Sequence, residues 1–136
     1  MLDNTDKKIL EELSKNGRIT MKELGEKVHL TGQATASRVC KIEEQGVIEG
    51  YTIHLNQIKA GYSLLSCLHI YTHSMDHRPY LTFIEKQQRF IMNNYKISGE
   101  GCYLLECRFP TNHELDLFLT ELNKHANYKL SIVINK

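Results

Sequence analysis

Hydrophobic positions recur with a helical period through the first fifty residues and then switch to strict alternation. Asp3 can cap a helix whose apolar stripe is Ile9, Leu10 and Leu13, ending at Asn16-Gly17. Thr20 with Glu23 three residues on has capping-box spacing and opens a short second helix that buries Leu24 and Val28. Thr31 caps a third helix, in which Thr35, Val39 and Ile42 recur at i, i+4 and i+7. Gly46 stands where that helix should stop, followed by Val47-Ile48 as the hydrophobic contact that accompanies such stops.

After Gly50 the alternation of Tyr51, Ile53 and Leu55 predicts a short strand leading into a connection that ends at Gly61. The remainder reads strand, helix, strand, strand, helix, strand. The strands are expected at about Tyr62–Thr72, Phe90–Ile97, Cys102–Phe109 and Tyr128–Ile134. Pro79 suits the first turn of the first helix, ahead of Leu81, Phe83 and Ile84. Thr111 and Glu114 form another capping-box pair, and Leu115, Phe118, Leu119, Leu122 and Ala126 follow on one helical face. This order is that of a ferredoxin-like βαββαβ domain, an antiparallel sheet with both helices on one side. The expected fold class is α+β: a winged helix-turn-helix of three helices over residues 1–50, a connecting strand and linker over 51–61, and a ferredoxin-like domain over 62–136.

Alternation also sorts the two sheet faces. Tyr103, Leu105, Cys107 and Phe109, with Tyr128, Leu130, Ile132 and Ile134, make one apolar face that should lie under the helices. The opposite face is mixed, yet it carries Leu65, Cys67, Tyr71, Leu104 and Val133. A second copy of the same sheet would cover it, giving a symmetric dimer. Scattered surface hydrophobes are the other reading.

Composition narrows the function classes. The 136 residues are 41% hydrophobic and 24% charged, which suits one globular chain of one or two small domains. The amino-terminal residues mix acids and bases and resemble no signal peptide, and the stretch Tyr62–Tyr71 is too short and polar to span a bilayer. Cys40, Cys67, Cys102 and Cys107 show no CxxC spacing, so a reducing cytoplasm and no membrane association are expected. His69, His73 and His77 are four apart, but they fall in a strand and a turn, so the sequence offers no metal site or cofactor.

A formal net charge of +1 excludes a uniformly polybasic protein, but it does not exclude segregated charge. Ser14–Lys41 holds six Lys/Arg against two acids, while the other acids of the first fifty residues gather at its two ends. The second and third helices fit a helix-turn-helix, whose second helix enters the major groove of double-stranded DNA. Over residues 31–45 that recognition helix turns Gln33, Ala34, Ser37, Arg38 and Lys41 away from its apolar face. Gln and Arg suit bidentate contacts to adenine and guanine edges, and Thr20, Lys22 and Thr31 suit phosphates.

The run Leu24-Gly25-Glu26-Lys27-Val28-His29-Leu30-Thr31, continued by Arg38-Val39-Cys40-Lys41-Ile42-Glu43-Glu44-Gln45-Gly46-Val47-Ile48, resembles the leucine-responsive regulator/AsnC, or feast/famine, family of prokaryotic transcription regulators. Leu2-Asp3-Asn4-Thr5-Asp6, Gly50-Tyr51-Thr52 and Gly61-Tyr62 are similar to that family too. The resemblance implies a sequence-specific transcription regulator that dimerises through its carboxy-terminal sheets and assembles further into tetramers or octamers. It also implies an amino acid or similar metabolite as effector, bound near the hairpin Ser98-Gly99-Glu100-Gly101-Cys102. There the two glycines could expose backbone N–H groups to a carboxylate while Glu100 meets an amine. Cys102 stands where the family often has Asp, and the same residues also suit an ordinary hairpin turn. Some relatives are decarboxylases of haem biosynthesis, so an enzyme on this architecture is the alternative reading.

Overall fold

A computed structural model describes residues 1–135. The chain divides into two compact units, Met1–His54 and the part from Leu55 onward. The first holds α1 (Asn4–Lys15), α2 (Met21–Val28) and α3 (Gly32–Glu44). Ile9, Ile19, Leu24, Val28, Val39 and Ile42 form its core, with Leu10, Leu13 and Ile48 packed against it. Each helix starts where a side chain can satisfy an orphan amide: the carboxylate of Asp3 and the hydroxyls of Thr20 and Thr31 accept from Asp6, Glu23 and Ala34.

The second unit runs β1 (Leu64–Thr72), α4 (Arg78–Lys86), β2 (Ile91–Lys96), β3 (Tyr103–Phe109), α5 (Asn112–Leu122) and β4 (Ala126–Ile132). The sheet order is β2-β3-β1-β4, and all three pairings are antiparallel. Tyr80, Phe83 and Ile84 of α4 and Leu115, Phe118 and Leu122 of α5 share one buried core with Leu68, Ile70, Tyr103, Leu105, Cys107 and Phe109. Both helices therefore cover the same sheet face, as the alternation predicts.

Three local expectations need correction. Residues 51–55 form no strand: Tyr51, Ile53 and Leu55 are exposed. Alternation alone cannot make a strand, because its amides need a second strand to pair with. Ala126 opens β4 and does not extend α5, which ends at Leu122 and turns through Asn123–His125. The helical cover also stops short of the end of β4, leaving Ile132 and Ile134 exposed.

On the uncovered face, Leu65, Cys67, His69 and Tyr71 of β1 are half-buried. His69 lies opposite Leu104 on β3 and opposite Lys129 on β4. Arg108, opposite Leu65, donates to the Gln57 side chain at 2.8 Å. Its guanidinium stacks over Tyr62, 4.2 Å from the ring centre. That face mixes apolar and charged groups, and among the described residues both helices of the second unit pack on the opposite one.

Candidate nucleic-acid interface

The α2–α3 corner is built from backbone close packing. His29 ends α2 in the left-handed region at φ 61°, and the Leu30 N–H donates to the Gly25 carbonyl at 2.9 Å. Gly25 is buried, so α2 can lie against the turn without a side chain between them. Thr35 is fully buried and donates its hydroxyl to the Thr31 carbonyl at 2.8 Å. That bond lies within the first turn of α3 and satisfies the hydroxyl, so Thr35 can be buried against Gly25 of α2.

The placement of the expected contact residues follows from this frame. Thr20 accepts from the Glu23 amide at 3.1 Å and donates to its carboxylate at 2.9 Å, at the mouth of α2. Thr31 accepts from the Ala34 amide at 3.1 Å, at the mouth of α3. Lys22 is exposed, and its backbone packs against Gly32 in the first turn of α3. Gln33, Ser37 and Lys41 are exposed and four apart, hence on one stripe of α3. Ala34 is half-buried.

Sequence reasoning missed two members of the outer face. Ala36 and Cys40 are exposed, and with Gln33, Ser37, Lys41 and Glu44 they line a shallow open groove. Each lies three residues after a stripe member, Ala36 after Gln33 and Cys40 after Ser37, and that spacing carried the signal. The Cys40 thiol donates to Glu44 at 3.5 Å. That hydrogen bond and the carboxylate's charge raise its pKa.

Arg38 departs from the expectation of a side chain turned out to read a base. Its Nη1 donates to Asp3 Oδ2 at 2.7 Å and to Asp6 Oδ1 at 3.1 Å, both at the start of α1. The hydrogen bond from Arg38 comes first among the causes that hold the Asp3 carboxyl below its ordinary range, and the Asp3 and Asp6 bonds push Arg38 up.

The hairpin between β2 and β3 is also more engaged than its sequence suggests. Gly99 and Gly101 have φ of 102° and 94°. The Gly101 N–H donates to the Gly99 carbonyl at 3.0 Å, and the Cys102 N–H donates to the Ile70 carbonyl at 2.7 Å. The Gly101 amide, one of the donors expected to face a carboxylate, is therefore used within the chain. Glu100 accepts from Lys129 Nζ at 2.9 Å and from the Tyr71 hydroxyl at 2.5 Å. The Lys129 bond, then the Tyr71 bond, holds its carboxyl below the usual range. Ser98 is exposed, and the Cys102 thiol lies 3.5 Å from the Thr72 hydroxyl, which lowers its pKa.

Comparison with known proteins bears on the family and the fold. Residues 2–49 match the family model for winged helix-turn-helix DNA-binding domains. The chain is 62% identical over 136 residues to the HTH-type transcriptional regulator LrpA of Bacillus subtilis, with 100% of both chains covered. It is 36% identical over 135 residues to LrpB of the same organism, covering 99% of this chain and 90% of that one. The solved structure of B. subtilis LrpC has a TM-score of 0.93 at 26% identity, covering 100% of this chain and 96% of its own. The transcriptional regulator NMB0573 of Neisseria meningitidis, solved as an L-Met complex, has a TM-score of 0.90 at 27% identity, covering 100% and 92%.

Proposed function

Since this chain belongs to the leucine-responsive regulator/AsnC family of helix-turn-helix transcription regulators, and not to the haem-biosynthesis enzymes, we propose that its first unit binds double-stranded DNA as an operator-specific regulator. The outer stripe of α3 carries this reading. Gln33, Ser37 and Lys41 stand exposed at successive turns of a helix whose opposite face is locked by Thr35, Val39 and Ile42. Such a helix enters the major groove with its side chains toward base edges. Thr20, Lys22 and Thr31 sit at the starts of α2 and α3, where helix dipoles and amides favour phosphate. The half-buried Ala34 offers its methyl group to the groove wall.

The function divides over the chain as a reading domain at 1–50, a connection at 51–61 and an assembly and effector domain at 62–136. The uncovered sheet face supports a homodimer, from which a tetramer or octamer can grow. A second copy would bury the half-exposed Leu65, Cys67 and Leu104. The effector is an amino acid taken at Ser98, Gly99, Glu100, Gly101 and Cys102. The methionine complex of the Neisseria relative supports that choice. Lys129 and Tyr71 both donate to Oε1 of Glu100, so an incoming ammonium group would meet the other carboxylate oxygen. Such a regulator works where its DNA is, in the cytoplasm. Among the described residues no helix is long and apolar enough to cross a membrane.

Binding isotherms on the chain's own upstream DNA and on a scrambled duplex test the DNA reading. Lys22→Ala and Lys41→Ala are expected to weaken both duplexes and to lower the salt slope by about one each. Equal affinity of the wild type for both duplexes would remove operator reading from the proposal.

A further inference from the structure

Four carboxylate oxygens at the start of α1 are divided between two tasks. Asp3 Oδ1 accepts from the Asp6 amide at 2.8 Å, and Asp6 Oδ2 accepts from the Asp3 amide at 3.1 Å, which closes the first turn of α1. The other two oxygens, Asp3 Oδ2 and Asp6 Oδ1, converge on Nη1 of Arg38 at 2.7 and 3.1 Å. Arg38 lies 35 and 32 positions further along, in the middle of α3.

The arrangement has electrostatic and geometric consequences. Two full negative charges meet one positive charge, so the cluster carries a residual negative charge beside the reading helix. A guanidinium already facing two carboxylates releases few counterions when DNA arrives, because its charge is neutralised within the protein. Meanwhile α3 gains a tether to α1 from the side of the helix next to its reading stripe, since Arg38 directly follows Ser37 and precedes Lys41 by three. This tether adds to the buried Thr35, Val39 and Ile42 in holding the rotation of α3 about its axis, and that rotation decides which side chains meet base edges.

We propose that Arg38 is a positioning residue and that Asp3 and Asp6 determine specificity by withholding its charge from the DNA backbone. A freed arginine on this helix would add attraction to every phosphate regardless of sequence, raising non-specific affinity without adding discrimination. The acidic pair prevents this while using the same cation to set the helix. This inference rests on α3 being the DNA-reading element. It replaces the expectation that Arg38 reads guanine.

The test compares the full-length wild type, the double variant Asp3→Asn/Asp6→Asn, Arg38→Met and the triple combination. Each is titrated with upstream and scrambled duplexes at several salt concentrations. Asn keeps the capping oxygens, so α1 stays closed while the charges are lost. The double variant is expected to bind the scrambled duplex more tightly, with a salt slope steeper by about one. One added phosphate contact makes the fall in affinity between 50 and 200 mM salt about threefold larger. Its ratio of specific to scrambled affinity should drop. Arg38→Met alone should leave the scrambled-duplex slope unchanged, and adding the Asn pair to it should leave that slope unchanged again. A merely structural clamp would shift melting temperature without moving these slopes. The proposal is overturned if Arg38→Met flattens the slope by about one, or abolishes preference at a single base position per half-site. It is also overturned if the double variant leaves slope and ratio as in the wild type. The double variant alone decides the matter should Arg38→Met fail to fold. A wild type that ignores sequence would count against the regulator reading, while the scrambled-duplex slopes would still judge the role of Arg38.

Discussion

A Cβ placed on Gly25 would stand 2.5 Å from the carbonyl oxygen of Leu30, across the turn that joins α2 to α3. The second obstruction is the Thr35 hydroxyl at 2.9 Å. The helix-turn-helix corner is therefore closed by backbone against backbone, and only a residue without a side chain fits. Gly25→Ala must displace the Leu30 peptide or lift α3, and overpacking of this kind costs about 1–3 kcal/mol. Thermal unfolding followed by helical circular dichroism should show that loss, together with weaker binding to both cognate and scrambled DNA. An unchanged melting curve would show that the turn yields freely.

Leu104 lies on the uncovered sheet face, half-buried between its cross-strand neighbours His69 and Tyr95. Leu104→Asp leaves the helix-covered core untouched but would bury an unpaired carboxylate in a sheet-to-sheet dimer. Sedimentation velocity at micromolar concentration should therefore give a dimer or larger for the wild type and a smaller species for the variant. A monomeric wild type contradicts the assembly proposal.

Cys102 closes the proposed effector hairpin, with its thiol 3.5 Å from the Thr72 hydroxyl. If that hairpin holds an amino acid, Cys102→Asp adds one charge-assisted hydrogen bond to its ammonium group. That is about 1.5–3 kcal/mol, or one to two decades in affinity. Calorimetric titration of the twenty amino acids into both proteins measures the gain. Heat from neither protein would reduce Ser98–Cys102 to a turn.

Ser66 of β1 faces the helices at 2% exposure, and its hydroxyl has no hydrogen-bond partner among the described residues. Its neighbours across the ladder are Cys107 and Ile132, neither of which offers a side-chain oxygen. Burying a hydroxyl unpaired costs about 1–3 kcal/mol. Ser66→Ala is expected to raise the stability of the second unit by about 1 kcal/mol in urea unfolding, with DNA affinity unchanged. A loss of stability would mean that the hydroxyl is satisfied in solution.

Glu12 sits buried on α1 with Lys8, Lys15 and Lys27 within 3.3–3.8 Å of its carboxylate. Burial, the largest influence, raises its pKa, but the Lys8 bond and the charges of Lys15 and Lys27 together outweigh it, and the carboxyl is held below its ordinary value. A depressed carboxyl pKa contributes stability above the unfolded value, lost as pH falls through the folded one. Glu12→Gln should therefore be less stable than wild type at pH 7. That difference should shrink as the solution is acidified below about pH 4. Amide exchange of α1 in the two proteins reads it, and a difference independent of pH would assign the effect to packing.

Most of the architecture is legible in the amino-acid sequence. Asp3, Thr20, Thr31 and Thr111 announce four helix starts, because an oxygen on a short side chain satisfies a local amide that few other residues can. Strict alternation from Tyr103 to Phe109 separates the sheet faces, because side chains on a pleated strand must alternate. Such signals are local in the chain. The failures share the opposite character. Residues 51–55 alternate like a strand, yet a strand is a relation between two segments, and the sequence of one segment does not supply the other.

Arg38 shows the same division at the proposed DNA face. Helical periodicity determines that it leaves the Thr35/Val39/Ile42 side of α3, and the sequence by itself determines that much. Whether its charge faces solvent or Asp3 and Asp6 is set by how α1 crosses α3, a packing outcome between residues 35 and 32 positions apart. Glu100 is alike: the glycines around it predict a turn, but only the pairing of β1 with β4 and the hairpin's contact with Ile70 bring Tyr71 and Lys129 to its carboxylate. Periodicity and capping act over three or four residues and can be read directly. Ion pairs, close backbone approaches and strand partners act through space, and only the folded chain decides them.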